Sequence, residues 1–179
     1  MTVDEFYEWE PPAGLGHFRW ELVDGEPVCM APPSVTHGII QGHAAFLLVQ
    51  HLRSHRPLCR LVVTPGVIPH LRSKVNHRVP DLGVACGPIN DNRSLHNPVL
   101  LVEILSPSNE DVTRANAWAY ATIPSVREVL ILSSNAIRAE LLRQGDEIPI
   151  IVEGHETLRL NSIGFEAPLS EFYATTNLR

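Results

Sequence analysis

Apolar residues recur at helical spacing along residues 34–57, where Ile39, Ile40, Ala44, Leu47, Leu48 and His51 form one stripe. This pattern predicts a long helix, capped by Ser34 and ended by cationic residues before Pro57. Thr2 and Glu5 have the spacing of a capping box, and Val3, Phe6 and Tyr7 give a short amphipathic helix that stops before Pro11 and Pro12. In "FRWELVDGEPVCM" two apolar-rich runs flank Asp24-Gly25, a hairpin signal that puts Glu21 on the first strand. Alternation there places Trp20 and Leu22 on one face and Arg19, Glu21 and Val23 on the other. Apolar runs at 58–68, 80–86 and 99–105 predict strands, broken by turn-rich segments such as "GPINDNRS". A second helix fits 111–121, and "REVLILSS", "IRAELLR", "IPIIVEG" and "TLRL" read as further strands before a short helix in "LSEFYATTNLR". With no repeat or low-complexity linker, the expectation is one domain over residues 1–179, an α/β fold with helices against a mixed sheet.

Composition narrows the class. A 179-residue chain that is 44% hydrophobic can bury a full core. No apolar run reaches the roughly 20 residues of a membrane span, and the acidic "MTVDEFYEWE" is unlike a signal peptide, so a cytoplasmic location without membrane contact is expected. Cys29, Cys59 and Cys86 are odd in number and sit in apolar surroundings, which predicts reduced core thiols. The net charge of −6 argues against indiscriminate coating of nucleic acid. Yet no acid falls between Glu26 and Asp81, where Arg53, Arg56, Arg60, Arg72, Lys74, Arg78 and six histidines lie. That segment could form a basic face for a polyanion, or be an ordinary solvated surface.

Two carboxylates break the pattern. Asp81 in "HRVPDLGVACG" and Glu103 in "NPVLLVEILSPS" stand in runs that otherwise read as inner strands. Burying unpaired charge costs several kcal/mol, about as much as a small domain's stability margin. A hard divalent cation would offset that cost, since Mg²⁺ takes oxygen ligands and needs only one or two carboxylates. Glu21 is a candidate third ligand or a holder of a ligand water. Such a site would hydrolyse phosphodiesters. The competing structural reading has Asp81 capping a turn and Glu103 paired with Arg114 or Arg127. His37, in the first turn after Ser34, is placed either to bind phosphate or carry a proton, or to bond a backbone carbonyl. His51 and His55 have the i, i+4 spacing of metal ligands but lack a third partner, and read as a solvated helix end; Trp118 and Tyr120 read as packing residues before base-stacking ones.

Four blocks, "WELVDGEPVCMAPPSVTHGIIQG", "RVPDLGVAC", "LLVEILSPSNE" and "WAYATIPSVREVLIL", occur in an order that resembles the Uma-two family of restriction endonucleases, over about residues 3–133. The resemblance implies a restriction-endonuclease-like core of the PD-(D/E)XK type. It also implies metal carboxylates at Asp81 and Glu103, with Glu21 and His37 at the family's other polar positions. Such a nuclease would use Mg²⁺, with Mn²⁺ as substitute, and DNA as substrate; a homodimer would suit double-strand cleavage.

One feature departs from the family. The lysine expected two residues after the glutamate is Leu105, and the position to which the family's lysine moves, four residues before Tyr120, is Asn116; the chain's one lysine is Lys74, in a predicted turn. With Val112, Ala115, Ala119 and Ile123 as the buried stripe, Asn116 lies on or beside the sheet-facing side. Its amide can donate hydrogen bonds to water or phosphate but carries no charge. The expectation is a metal-dependent DNA endonuclease weakened at this position. The alternative is an inactive nuclease-fold protein that binds nucleic acid or a protein partner.

Overall fold

The computed structural model describes residues 1–88, 93–107 and 110–178. Residues 89–92 of the turn-rich "GPINDNRS" and residues 108–109 of the "LLVEILSPSNE" block lie outside the described residues.

The first elements follow local sequence rules. Helix α1 (Val3–Glu8) is held by the Thr2–Glu5 capping box, and the hairpin of β1 (Trp20–Val23) and β2 (Glu26–Cys29) turns at Asp24 and Gly25, both at positive φ. That backbone suits a two-residue turn matched to the twist of the strands. Helix α2 (Val35–His55) starts where the Ser34 hydroxyl accepts from the His37 N–H, and buries Ile40, Ala44, Leu48 and Leu52.

Then come β3 (Cys59–Val63), β4 (Leu82–Cys86), β5 (Pro98–Leu105), α3 (Glu110–Ala121), β6 (Glu128–Ser133), β7 (Arg138–Arg143) and β8 (Ile150–Glu153). These strands form one six-stranded sheet in chain order, with β5 and β6 parallel and the other neighbours antiparallel. The sheet is therefore mixed, as expected. A small hairpin of β9 (Thr157–Leu160) and β10 (Phe165–Pro168), and a 3₁₀ turn over Leu169–Tyr173, close the fold.

Strand alternation sorts the core into two layers. Leu100, Val102, Ile104, Leu130, Leu132 and Leu141 pack with α2 and the C-terminal hairpin. Leu101, Val129, Ile131 and Leu142 pack with Ala117 and Tyr120 of α3. Each such buried side chain contributes on the order of 1.5–3 kcal/mol. Glu103, between Val102 and Ile104, falls on the α3 side.

Two expectations need correction. Cys59 and Cys86 form a disulfide, and Cys29 is exposed, so the chain does not hold three reduced core thiols. The cause is register: β3 and β4 place Cys59 directly opposite Cys86, a pairing that linear distance hides. Helix α3 buries Thr113, Asn116, Ala117 and Tyr120, while Val112 is 53% exposed, so the helix is turned from the assumed stripe and Asn116 sits centrally on its inner face. On β1, Glu21 and Leu22 are both buried, because both faces of this short strand are covered.

Candidate active site

The antiparallel pairing of Leu82 with Val102 brings Asp81, just before β4, beside Glu103 on β5. Both are buried. Pro80 delivers Asp81 at the strand's entry, and three bonds fix it there. The Ile104 N–H donates to Asp81 Oδ2 at 2.8 Å, His37 Nε2 lies 2.9 Å from Oδ1, and Gln41 Nε2 donates to the backbone carbonyl at 3.0 Å. The first turn of α2 therefore aims His37 at the aspartate. Its ring nitrogen is spent on a carboxylate, not a backbone carbonyl.

Glu103 accepts a 2.7 Å hydrogen bond from the Tyr120 hydroxyl on Oε1. Burial pushes its carboxyl well above the usual range, and the Asp81 charge beside it adds to the shift; Tyr120 is raised by the same burial and by Glu103. Neither Arg114 nor Arg127 reaches Glu103: Arg114 instead clasps Glu110 and Glu140, at 2.9 and 2.6 Å. Among the described residues no arginine or lysine pairs with Asp81 or Glu103. Two acids thus share a desolvated spot, Asp81 with His37 against it and Glu103 with Tyr120.

Glu21 enters the cluster from β1. Its Oε1 accepts from the Val79 N–H at 2.8 Å, Asn116 Nδ2 lies 3.5 Å from both carboxylate oxygens, and Arg78 approaches Oε2 to 3.9 Å. Burial raises its carboxyl too, against these partners. Glu21 is thus oriented toward an amide and a guanidinium. Among the described residues no group of three or more His, Cys, Asp or Glu is gathered to hold one ion.

The pair of Asp81 and Glu103 fits a hard divalent cation. The donors are carboxyl groups brought side by side, and the burial and mutual repulsion that hold a proton on Glu103 are what a cation would relieve; Mg²⁺ completes its shell with water.

Asn116 lies within the cluster, bridging Glu21 and Arg78, whose Nη1 donates to Asn116 Oδ1 at 3.0 Å. Two residues of this site were not picked out from the sequence as site residues. Tyr120 could have been, since it stands four positions after Asn116 on the same helix face. Arg78 offered only its place three residues before Asp81. Three other basic side chains of that segment have anchors elsewhere: Arg56 donates to the Ile163 carbonyl, Arg60 to that of Gly87, and Arg72 pairs with Asp24. His51 bonds the Ile163 carbonyl and stacks on His55, while Trp118 is exposed.

The same architecture occurs in the crystal structure titled "putative nuclease belonging to DUF820" from Anabaena variabilis, with a TM-score of 0.79 over 97% of this chain and 98% of that one, at 16% identity. The fold is thus a mixed α/β architecture with a nuclease-like neighbour. The chain belongs to the Uma2 family, described as "Putative restriction endonuclease", whose profile matches residues 3–170. An uncharacterised protein of Synechocystis, slr1290, is 27% identical over 97% of this chain and 91% of its own length.

Proposed function

We propose that this protein is a divalent-metal-dependent DNA endonuclease, with Asp81 and Glu103 holding Mg²⁺, or Mn²⁺ in its place. The observation that carries this reading is the neighbouring pair of buried acids, with no arginine or lysine against either among the described residues. When bound, the ion would supply charge neutralisation at a phosphoryl oxygen and a more acidic water. The chain's own residues do the rest. His37 and the Ile104 N–H hold Asp81 in one orientation, and Tyr120 does the same for Glu103. Glu21 and Asn116 form the polar wall beside them, where the amide can donate to water or phosphate.

The test is a thermal melt and a plasmid-nicking assay with Mg²⁺ or Mn²⁺ against a chelator. The metal is expected to raise the melting temperature and to permit nicking, and Asp81→Ala is expected to abolish both. If Asp81→Ala retains both effects, the assignment is wrong. The uncharged Asn116 favours a second reading, an inactive nuclease fold that binds nucleic acid or a protein partner. Metal-induced stabilisation without nicking would select it.

A further inference from the structure

Arg78 presents an unusual arrangement for a largely buried cation. Its side chain is 11% exposed, yet its two closest side-chain acceptors are neutral: Nη1 donates to Asn116 Oδ1 and Nη2 to Asn76 Oδ1, each at 3.0 Å. The nearest carboxylate oxygen, on Glu21, is 3.9 Å away, and the buried Nε has no partner. Guanidinium groups are ordinarily met by close, often bidentate, carboxylates, as the more exposed Arg114 is met by Glu140 in this same molecule. Leaving one under-compensated costs stability without structural return.

The support around it is built. Asn76 is held by Asp24, with its Nδ2 donating to Oδ1 at 3.0 Å and its Oδ1 accepting from the Asp24 N–H at 3.0 Å. The hairpin turn therefore orients Asn76, Asn76 and Asn116 orient the guanidinium, and an isolated backbone bridge between Val67 and Arg78 fixes the segment that carries it. Three residues on, the same segment delivers Asp81. The Arg78 charge reaches Tyr120, which donates to Glu103.

We infer that Arg78 is the cation of this site, held on amide oxygens so that its charge stays available, and that it binds a phosphate oxygen of the DNA strand beside the Asp81–Glu103 pair. A charged donor at Asn116 is then unnecessary: a lysine there would meet Arg78 head on. The inference rests on the nuclease reading above and adds the group that meets the substrate's charge.

The experiment measures binding of a labelled DNA duplex by fluorescence anisotropy in Ca²⁺, across a salt series, with urea denaturation as the folding control. Arg78→Gln is expected to weaken binding by about 10- to 100-fold and to lower the salt-dependence slope by about one. Arg78→Lys should keep the slope while losing part of the affinity, because the charge remains and the planar fork does not. Asn116→Lys should be destabilising alone but should restore binding in an Arg78→Gln background. Folded Arg78→Gln protein with wild-type affinity and slope overturns the inference while leaving the nuclease reading in place. Should Arg78→Gln not fold, the comparison is Arg78→Lys with wild type, and an unchanged affinity overturns it. Absence of DNA binding by the wild type removes the reading itself, and this inference with it.

Discussion

Glu103 is held above the ordinary carboxylate range by burial and by Asp81, so the folded chain binds this proton more tightly than the unfolded chain does. Its contribution to stability is therefore full below the unfolded value and is lost as pH rises through the folded one. Metal-free wild type should thus lose melting temperature from pH 5 to pH 8, and Glu103→Gln should melt higher than wild type at pH 8 in a chelator, because the amide keeps the Tyr120 bond without the charge. Added Mg²⁺ should narrow that gap by stabilising wild type only. A pH series by scanning fluorimetry checks all three. Tyr120→Phe leaves a buried carboxylate oxygen without its donor and should cost about 1–3 kcal/mol in urea denaturation. Asp81 and Glu103 were visible in the sequence as polar interruptions of apolar runs, whereas Tyr120 read there as a packing residue. Arg78 was not, because a lone arginine before a strand is indistinguishable from a surface charge until its acceptors are seen.

Elements carry the site, and two of them make predictions of their own. Strand β3 is an edge of the sheet, pinned to β4 by the Cys59–Cys86 disulfide, which spans 27 residues of sequence. Native protein should show one reactive thiol, Cys29, and reduction or Cys59→Ser should lower stability by about 3 kcal/mol, measured by thiol titration and urea unfolding. Helix α3 is turned by polar contacts as well as by apolar ones: Arg114, paired within the helix with Glu110, ties it to Glu140 on β7, and Glu140 is held below its usual range by Arg114 first of all. Because that carboxyl is depressed, its contribution is present above the unfolded value and fades as pH falls through the folded one. Arg114→Ala should then destabilise the protein at pH 7 more than at pH 3, by denaturation at the two pH values. The long helix α2 was legible because its cap and stripe are local. The rotation of α3 was not, since Val112 and Thr113 could each have led the buried face, and the choice fell to partners on other strands.

For the whole molecule, the sheet is the instrument that converts separate acids into one centre. No helix among the described residues is long and apolar enough to cross a membrane. Adjacent strands running in opposite directions bring Asp81 and Glu103 together across 22 positions of sequence, and the parallel step from β5 to β6 requires the crossover that lays α3 over Glu103. Asn116 and Tyr120 then face the same spot from above. Disrupting the crossover's packing should weaken the site without touching an acid: Ala117→Asp, in the layer shared with Leu101 and Ile131, should both destabilise the fold and reduce metal-induced stabilisation, as read by melting with and without Mn²⁺.

The order of elements, the capped α2, the Asp24-Gly25 hairpin and the two acids set in apolar runs were all settled by the linear chain, because each depends on neighbours within a few residues. Which acids meet, how α3 is turned, the pairing of Cys59 with Cys86 and the placing of Arg78 on two asparagine oxygens were decided only in three dimensions. Strand register and helix rotation are set by the total of long-range contacts, and no short window of sequence contains that total.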